Sequence, residues 1–265
     1  MAYQKGEPQL EMGQPRHADK SVPVAEAKPP LPLSPVGYTK GDGMLSPMAF
    51  LVIFSGGERR EEDYFKVIVQ QPDKFPNLKL RFFVEDKYKA GHEPLVYRLA
   101  LDKVDEYNAS SSPDAPDDFF VVTDVDLFWQ HILAYKPVFE GKGISLIVNN
   151  PCLEVWLYYS KLADKFEGFV APANPEALSS AVKTFVHAKT GGVNPQKAIF
   201  DIEANIRNAQ ANYAIDEHGL PVRFSTNMFI LAERMLPLVK PGLEAIAAER
   251  EAIKKAWLEK GRNVI

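Results

Sequence analysis

FVVTDVDLFW, Phe120–Trp129, decides how this chain is read. Phe120, Val121, Val122 and Thr123 are strand formers, and they run straight into two carboxylates, Asp124 and Asp126, before Leu127, Phe128 and Trp129 resume the apolar pattern. Residues two apart in a strand point to the same side, so the two aspartates can address one ion or an adjacent pair. Two readings follow. Asp126 caps the next helix and Asp124 is a solvated turn residue, or the strand delivers both acids to a divalent metal.

Working outward, the neighbouring segments alternate between two periods. MAFLVIFSGG holds a continuous apolar run, Phe50–Phe54, closed by Gly56 and Gly57, as a strand buried on both faces requires. REEDYFKVIVQQ follows with Tyr64, Phe65, Ile68 and Val69 at helical spacing and acids in its first turn, where the helix dipole favours them. LKLRFFVED predicts a second strand and EPLVYRLALDKVDEY a second amphipathic helix, with Pro94 in a first-turn position. DDFFVVTDVD is the third strand, followed by a short helix. GISLIVNN is the fourth strand, and PCLEVWLYYSKL starts a helix with Pro151 near its first position.

This alternation predicts an α/β fold, a mostly parallel sheet flanked by helices on both faces. After about residue 170 the pattern turns helical, through NPEALSSAVKTFVHAKTG, NPQKAIFDIEANIRNAQANYAI, TNMFILAERMLPLV and GLEAIAAEREAIKKAWLEKG. Four segments are expected: a disordered proline-rich arm over 1–47, an α/β core over 48–170, a helical extension of that domain over 171–240 and a charged C-terminal helix over 241–265. In the arm, Pro29, Pro30, Pro32 and Pro35 remove backbone donors and favour extended geometry.

An apolar content of 46% with 25% charged residues fits an ordinary globular protein. A net charge of −4 argues against a basic coat protein for nucleic acid, while leaving room for an enzyme that meets nucleic acid through one local basic surface. Cys152 is the single cysteine, so no intrachain disulfide forms and a reducing compartment fits. The N-terminus lacks an apolar signal core and no run of about 18 apolar residues occurs, which predicts a cytoplasmic protein with no membrane span.

In an open parallel sheet, ligands bind beyond the carboxyl ends of the strands. Strand one leads to Glu58 and Glu61, strand three to Asp124 and Asp126, and strand four to Asn149, Asn150 and then Glu154. Oxygen ligands from separate segments therefore converge on one rim, and hard ions such as Mg²⁺ or Mn²⁺ take such ligands together with waters and substrate phosphate. Two such ions about 4 Å apart stabilise both attacking and leaving oxygens in phosphodiester cleavage. SGGERR lacks the lysine and Ser/Thr of a P-loop. Cys152 reads as a buried, inert thiol, and Trp156, Tyr158 and Tyr159 as core residues. His92, His131, His187 and His218 have no zinc-like spacing. Lys183, Lys189, Lys197, Arg207 and Arg223 read as solvated surface charge that could also contact phosphate.

Three motifs together resemble the RloB family. FSGGERREEDYF is similar to the family's strand followed by E-G-x-x-T-E-x-x-Y-F, VVTDVD to its D-x-D strand, and IVNNPCLEVWLYY to S-N-P-C-F-E-L-W-L. In the last, Asn150, Pro151, Cys152, Glu154 and Trp156 all coincide. FSTNMFILAERML resembles the family's P-S-T-x-V-x-x-L-V-x-x-L ending, so the likeness covers roughly residues 48–240. It implies a Toprim-like fold, and a metal-dependent nuclease role in bacterial anti-phage defence by abortive infection. RNA, tRNA included, and DNA are the implied substrates, and an AAA/ABC-type ATPase is the implied partner. A homo-oligomer is compatible with the sequence.

Under this resemblance Asp124 and Asp126 hold Mg²⁺ or Mn²⁺, and Glu61, helped by Glu58, completes the metal site or handles protons. Glu154, Asn149 and Asn150 orient ligands or substrate. One position departs from the pattern: Gly56 stands where the family places the first glutamate of E-G. Glu61 matches the second glutamate. Gly56 therefore motivates a competing expectation, a non-catalytic regulatory or binding subunit of an ATPase-containing complex.

Overall fold

Ala49–Ser55 (β1) is buried along its whole length, and its alternate residues enter two different cores. Ala49, Leu51 and Ile53 face one side, and Phe50, Val52 and Phe54 the other. This is what a continuous apolar strand achieves when helices cover both faces of its sheet. The computed structural model describes residues 49–57, 59–84, 94–110, 115–125 and 128–262. The chain divides into two units, Met1–Met44 and Leu45–Ile265, and every described residue belongs to the second. The proline-rich arm, Glu58 and Asp126 lie outside the described residues.

The fold is α/β. Its sheet has the order β2-β1-β3-β4-β5, with β2 at Leu78–Val84, β3 at Asp118–Asp124, β4 at Ile144–Asn150 and β5 at Ser225–Thr226. The first four strands are mutually parallel, as the alternation of segments predicts. β5 is antiparallel to β4, pairing Asn149 with Thr226 and Asn150 with Ser225. It is an addition to the sequence reading, which takes the chain as helical from Thr226 in TNMFILAERMLPLV: two residues are too few to show a strand period.

One face is covered by α2 (Leu95–Ala109) and α3 (Trp129–Gly141), which contribute Val96, Tyr97, Ala100, Val104, Ile132 and Phe139. The other is covered by α1 (Arg60–Gln70), α4 (Glu154–Tyr159) and the helices that follow. α4 starts at Glu154, three residues later than Pro151, because Cys152 and Leu153 form a turn whose carbonyls accept from Val155 and Leu157. Trp156, Tyr158 and Tyr159 are fully buried core residues, as the sequence predicts.

The helical part begins with two Asn-Pro starts. Asn174 accepts from the Glu176 N–H ahead of α5 (Leu178–Thr190), and Asn194 accepts from the Gln196 N–H ahead of α6 (Pro195–Ala198), which leads into α7 (Ile202–Ala211). These side chains satisfy helix N–H groups that have no partner within the helix. α8 (Met228–Arg262) is one helix passing through residue 240. Its buried stripe of Leu231, Met235, Val239, Leu243 and Ile246 gives way to exposed residues, among them Ile253 and Trp257.

Candidate functional site

β2 and β3 lie on opposite sides of β1, so the chain leaves β1 in one direction and returns on the other. At such a switch point the connections part and a crevice opens beyond the carboxyl ends of the strands. Three acids arrive at that edge. Glu61 sits in the first turn of α1, six residues after β1 ends at Ser55. Asp124 is the last residue of β3, and Glu154 is the first residue of α4, just after β4.

Glu61 is 7% exposed, and its carboxylate folds back over the glycine turn. A Cβ built on Gly57 would come 1.9 Å from Glu61 Oε2, so the bare Cα of Gly57 makes room for this carboxylate. Gly57 N–H donates to the buried Ser55 hydroxyl at 3.1 Å, which holds the turn. Glu154 is 1% exposed, and its Oε1 lies 2.9 Å from Nη1 of the half-exposed Arg60. That contact is an ion pair without hydrogen-bond alignment, and Oε1 has no other partner among the described residues.

Asp124 is half-buried and stands opposite Asn149 in the parallel register of β3 and β4. Asn149 Nδ2 donates to Asp124 Oδ1 at 3.3 Å, and the nearby Leu153 N–H favours the ionised form of this carboxylate. Asn150, one residue on, points elsewhere: its Nδ2 donates to Pro221 O at 2.8 Å.

The acids strain one another. Burial raises the Glu61 pKa, and the negative charge of Glu154 raises it further, against the opposing pull of Lys183 and Arg60. Asp124 is raised well above the ordinary aspartate range by burial, then by Glu61 and Glu154, while the Leu153 N–H and Lys183 oppose the rise. Burial and neighbouring negative charge thus disfavour the ionised forms of Glu61 and Asp124, and this is the condition a bound cation relieves. Cys152, fully buried beside them, has its thiol pushed far up by burial and by Glu154 and Asp124, so it is inert as a nucleophile.

Among the described residues no group of three His, Cys, Asp or Glu side chains is gathered into a metal-binding set. Mg²⁺ does not require one, since it keeps several waters and uses one or two carboxylates with substrate phosphate. The all-oxygen donors of Glu61 and Asp124, with the incompletely partnered Oε1 of Glu154, fit a hard divalent ion of this kind.

Of the residues named from sequence, Glu61, Asp124, Glu154 and Asn149 are brought together, Asn150 is engaged with the Pro221 loop, and Glu58 and Asp126 lie outside the described residues. Arg60 is a participant that the sequence reading passed over, although it directly precedes Glu61 in ERREE. Lys183, counted there only among surface cations, acts on both Glu61 and Asp124 from α5.

No curated protein and no solved structure matches the chain. A family model described as RloB-like protein matches residues 51–235, a stretch that begins within β1, ends within α8 and takes in every element of the acidic rim. A match over that much of the sequence shows that the chain belongs to the RloB-like family.

Proposed function

We propose that this protein is a Mg²⁺- or Mn²⁺-dependent nuclease of a bacterial anti-phage, abortive-infection system, acting on phosphodiester bonds of RNA (tRNA included) or DNA. One observation carries the reading: acids from three distant segments, Glu61, Asp124 and Glu154, are delivered to the switch-point rim, where burial and mutual repulsion disfavour the charged forms of Glu61 and Asp124. The Toprim-like character, the defence role and a partner AAA/ABC-type ATPase rest on the motif resemblance.

In this reading Asp124, with Asp126, offers carboxylate oxygens to the cation, and the Asn149 amide holds Asp124 in place. A bound divalent ion supplies charge stabilisation at the phosphoryl oxygens and activates water. Glu61, whose pKa burial raises above the ordinary glutamate value, serves as the acid/base group. Arg60 holds Glu154 and, being half exposed, presents positive charge toward a phosphate. Lys183 adds a second cation to the same rim.

The Asp124→Ala, Asp126→Ala double variant is expected to lose Mn²⁺ binding by calorimetry and at least about 100-fold in Mn²⁺-dependent cleavage of tRNA, other RNA or DNA, while circular dichroism stays native. Unchanged cleavage by the double variant would sink the assignment.

Gly56 favours a second reading, a non-catalytic scaffold that binds nucleic acid or an ATPase partner. A Cβ at Gly56 would lie 3.4 Å from Val96 Cγ1, an ordinary contact, so the position accepts a side chain. Cleavage that appears only in Gly56→Glu marks the natural chain as this scaffold. Cleavage by the unaltered chain removes the scaffold reading.

A further inference from the structure

We infer that Thr226 is a positioning residue for Asp124, acting through the Asn149 amide; the functional part of this inference rests on the reading of the rim as a cation site. Asp124, Asn149 and Thr226 stand on one rung of the sheet. Asp124 is the register partner of Asn149 across β3 and β4, and Thr226 is its partner across β4 and β5. Directly opposed residues on neighbouring strands share a face, so the three side chains form one line.

The direction of each proton along that line follows from its far end. Met228 N–H is a donor only, and it reaches Thr226 Oγ1 at 3.0 Å. The hydroxyl therefore accepts there and has its own proton to give, and it donates to Asn149 Oδ1 at 2.7 Å. With Oδ1 committed to Thr226, the amide nitrogen is the end that faces Asp124, and it donates to Oδ1 at 3.3 Å. Asn149 and Thr226 are both fully buried, so water does not substitute for a missing partner. Without the hydroxyl only the Asp124 carboxylate is left to orient the Asn149 amide, and the amide oxygen loses its donor. A flipped amide would set its oxygen against the Asp124 carboxylate and push it off the cation.

The surroundings hold this rung tightly. Asn227 accepts from Val148 N–H at 2.6 Å and donates to Leu146 O at 2.9 Å, and Phe224 N–H donates to Asn150 O at 2.8 Å. β5 is thus clamped on both sides of Thr226, and a two-residue strand suffices to place one hydroxyl.

The test uses the full chain in four forms: unaltered, Thr226→Val, Thr226→Ser and Asn227→Ala. Without metal, the Asn149 side-chain amide protons, observed by nitrogen-15 NMR, are expected to be protected from solvent exchange in the unaltered chain and in Thr226→Ser, and to lose that protection in Thr226→Val. Mn²⁺ affinity by calorimetry is expected to fall about tenfold in Thr226→Val, the lower end of the usual outer-sphere effect, and to return in Thr226→Ser. Asn227→Ala, which breaks the neighbouring clamp, is expected to lower the melting temperature without changing Mn²⁺ affinity.

Equal Mn²⁺ affinity in Thr226→Val and the unaltered chain, or an Asn149 amide indifferent to Thr226→Val, overturns the inference and leaves the cation reading standing. If the unaltered chain binds no Mn²⁺, the cation reading fails and the amide exchange alone decides the positioning claim. Thr226→Ala, which removes the same hydroxyl, carries the comparison if the valine variant does not fold.

Discussion

At the scale of single residues, the candidate site is a place where the fold works against its own stability. Glu61 and Asp124 have ordinary values of 4.5 and 3.8 and are both raised in the folded chain, by burial first and by neighbouring acids second. The folded state therefore binds protons more tightly than the unfolded chain, and these groups lower stability as pH rises from the ordinary carboxylate range through their raised values. Urea titrations of the metal-free protein are expected to show this loss on going from pH 5 to pH 7. Asp124→Asn is expected to flatten it and to raise the melting temperature at pH 7 by about 2–4 °C, equivalent to about 1 kcal/mol. Under the proposed cation reading, added Mn²⁺ is expected to reverse the trend by binding the deprotonated carboxylates. A metal-free Asp124→Asn chain no more stable than the parent at pH 7 would remove the charge crowding from the account.

At the scale of elements, the turn between β1 and α1 shows how a loop sets a side chain. Gly57 is needed for its missing Cβ: any side chain there occupies the place of the Glu61 carboxylate, 1.9 Å away. The displaced group is the free end of a flexible side chain, so the backbone need not move. Gly57→Ala is expected to change stability by less than about 1 kcal/mol, since the entropy lost by the unfolded chain offsets part of the rearrangement. Mn²⁺ affinity is expected to fall in the same variant. Calorimetry beside thermal melting separates the two effects, and a large loss of stability would show that Gly57 supports the fold rather than the site. α8 teaches a related lesson. Its buried stripe ends near Ile246, yet the same helix face continues as Ile253 and Trp257 in the open. Helical periodicity alone thus does not mark where packing stops.

At the scale of the whole molecule, the sheet separates two cores, one under α1 and α4 to α8 and the other under α2 and α3. Ile53 belongs to the first and Ile132 to the second, and both are fully buried. Ile53→Val and Ile132→Val are each expected to cost about 0.5–1.5 kcal/mol in urea unfolding. Their double variant should equal the sum within about 0.5 kcal/mol, since the two residues share no partners. A clear departure would mean that strain passes through the sheet.

The sequence by itself determined the four parallel strands, the helices between them and the delivery of acids to one edge. The continuous apolar run of Phe50–Phe54, the helical spacing after Arg60 and the stop of Phe120–Thr123 at Asp124 are all local and therefore readable. Membership in the RloB-like family was legible for the same reason, since its motifs are short and contiguous. Tertiary structure alone decided which of two adjacent asparagines serves the site. Asn149 faces Asp124 and Thr226 while Asn150 binds Pro221 O, an outcome set by register between strands far apart in the chain. It also decided that Arg60 pairs with Glu154, that Lys183 reaches Glu61 and Asp124 from α5, and that two residues after α7 form a strand. Periodicity reports the conformation of a segment and the face it buries. Which segments then meet depends on strand order and register, and those are settled by the packing of the whole chain.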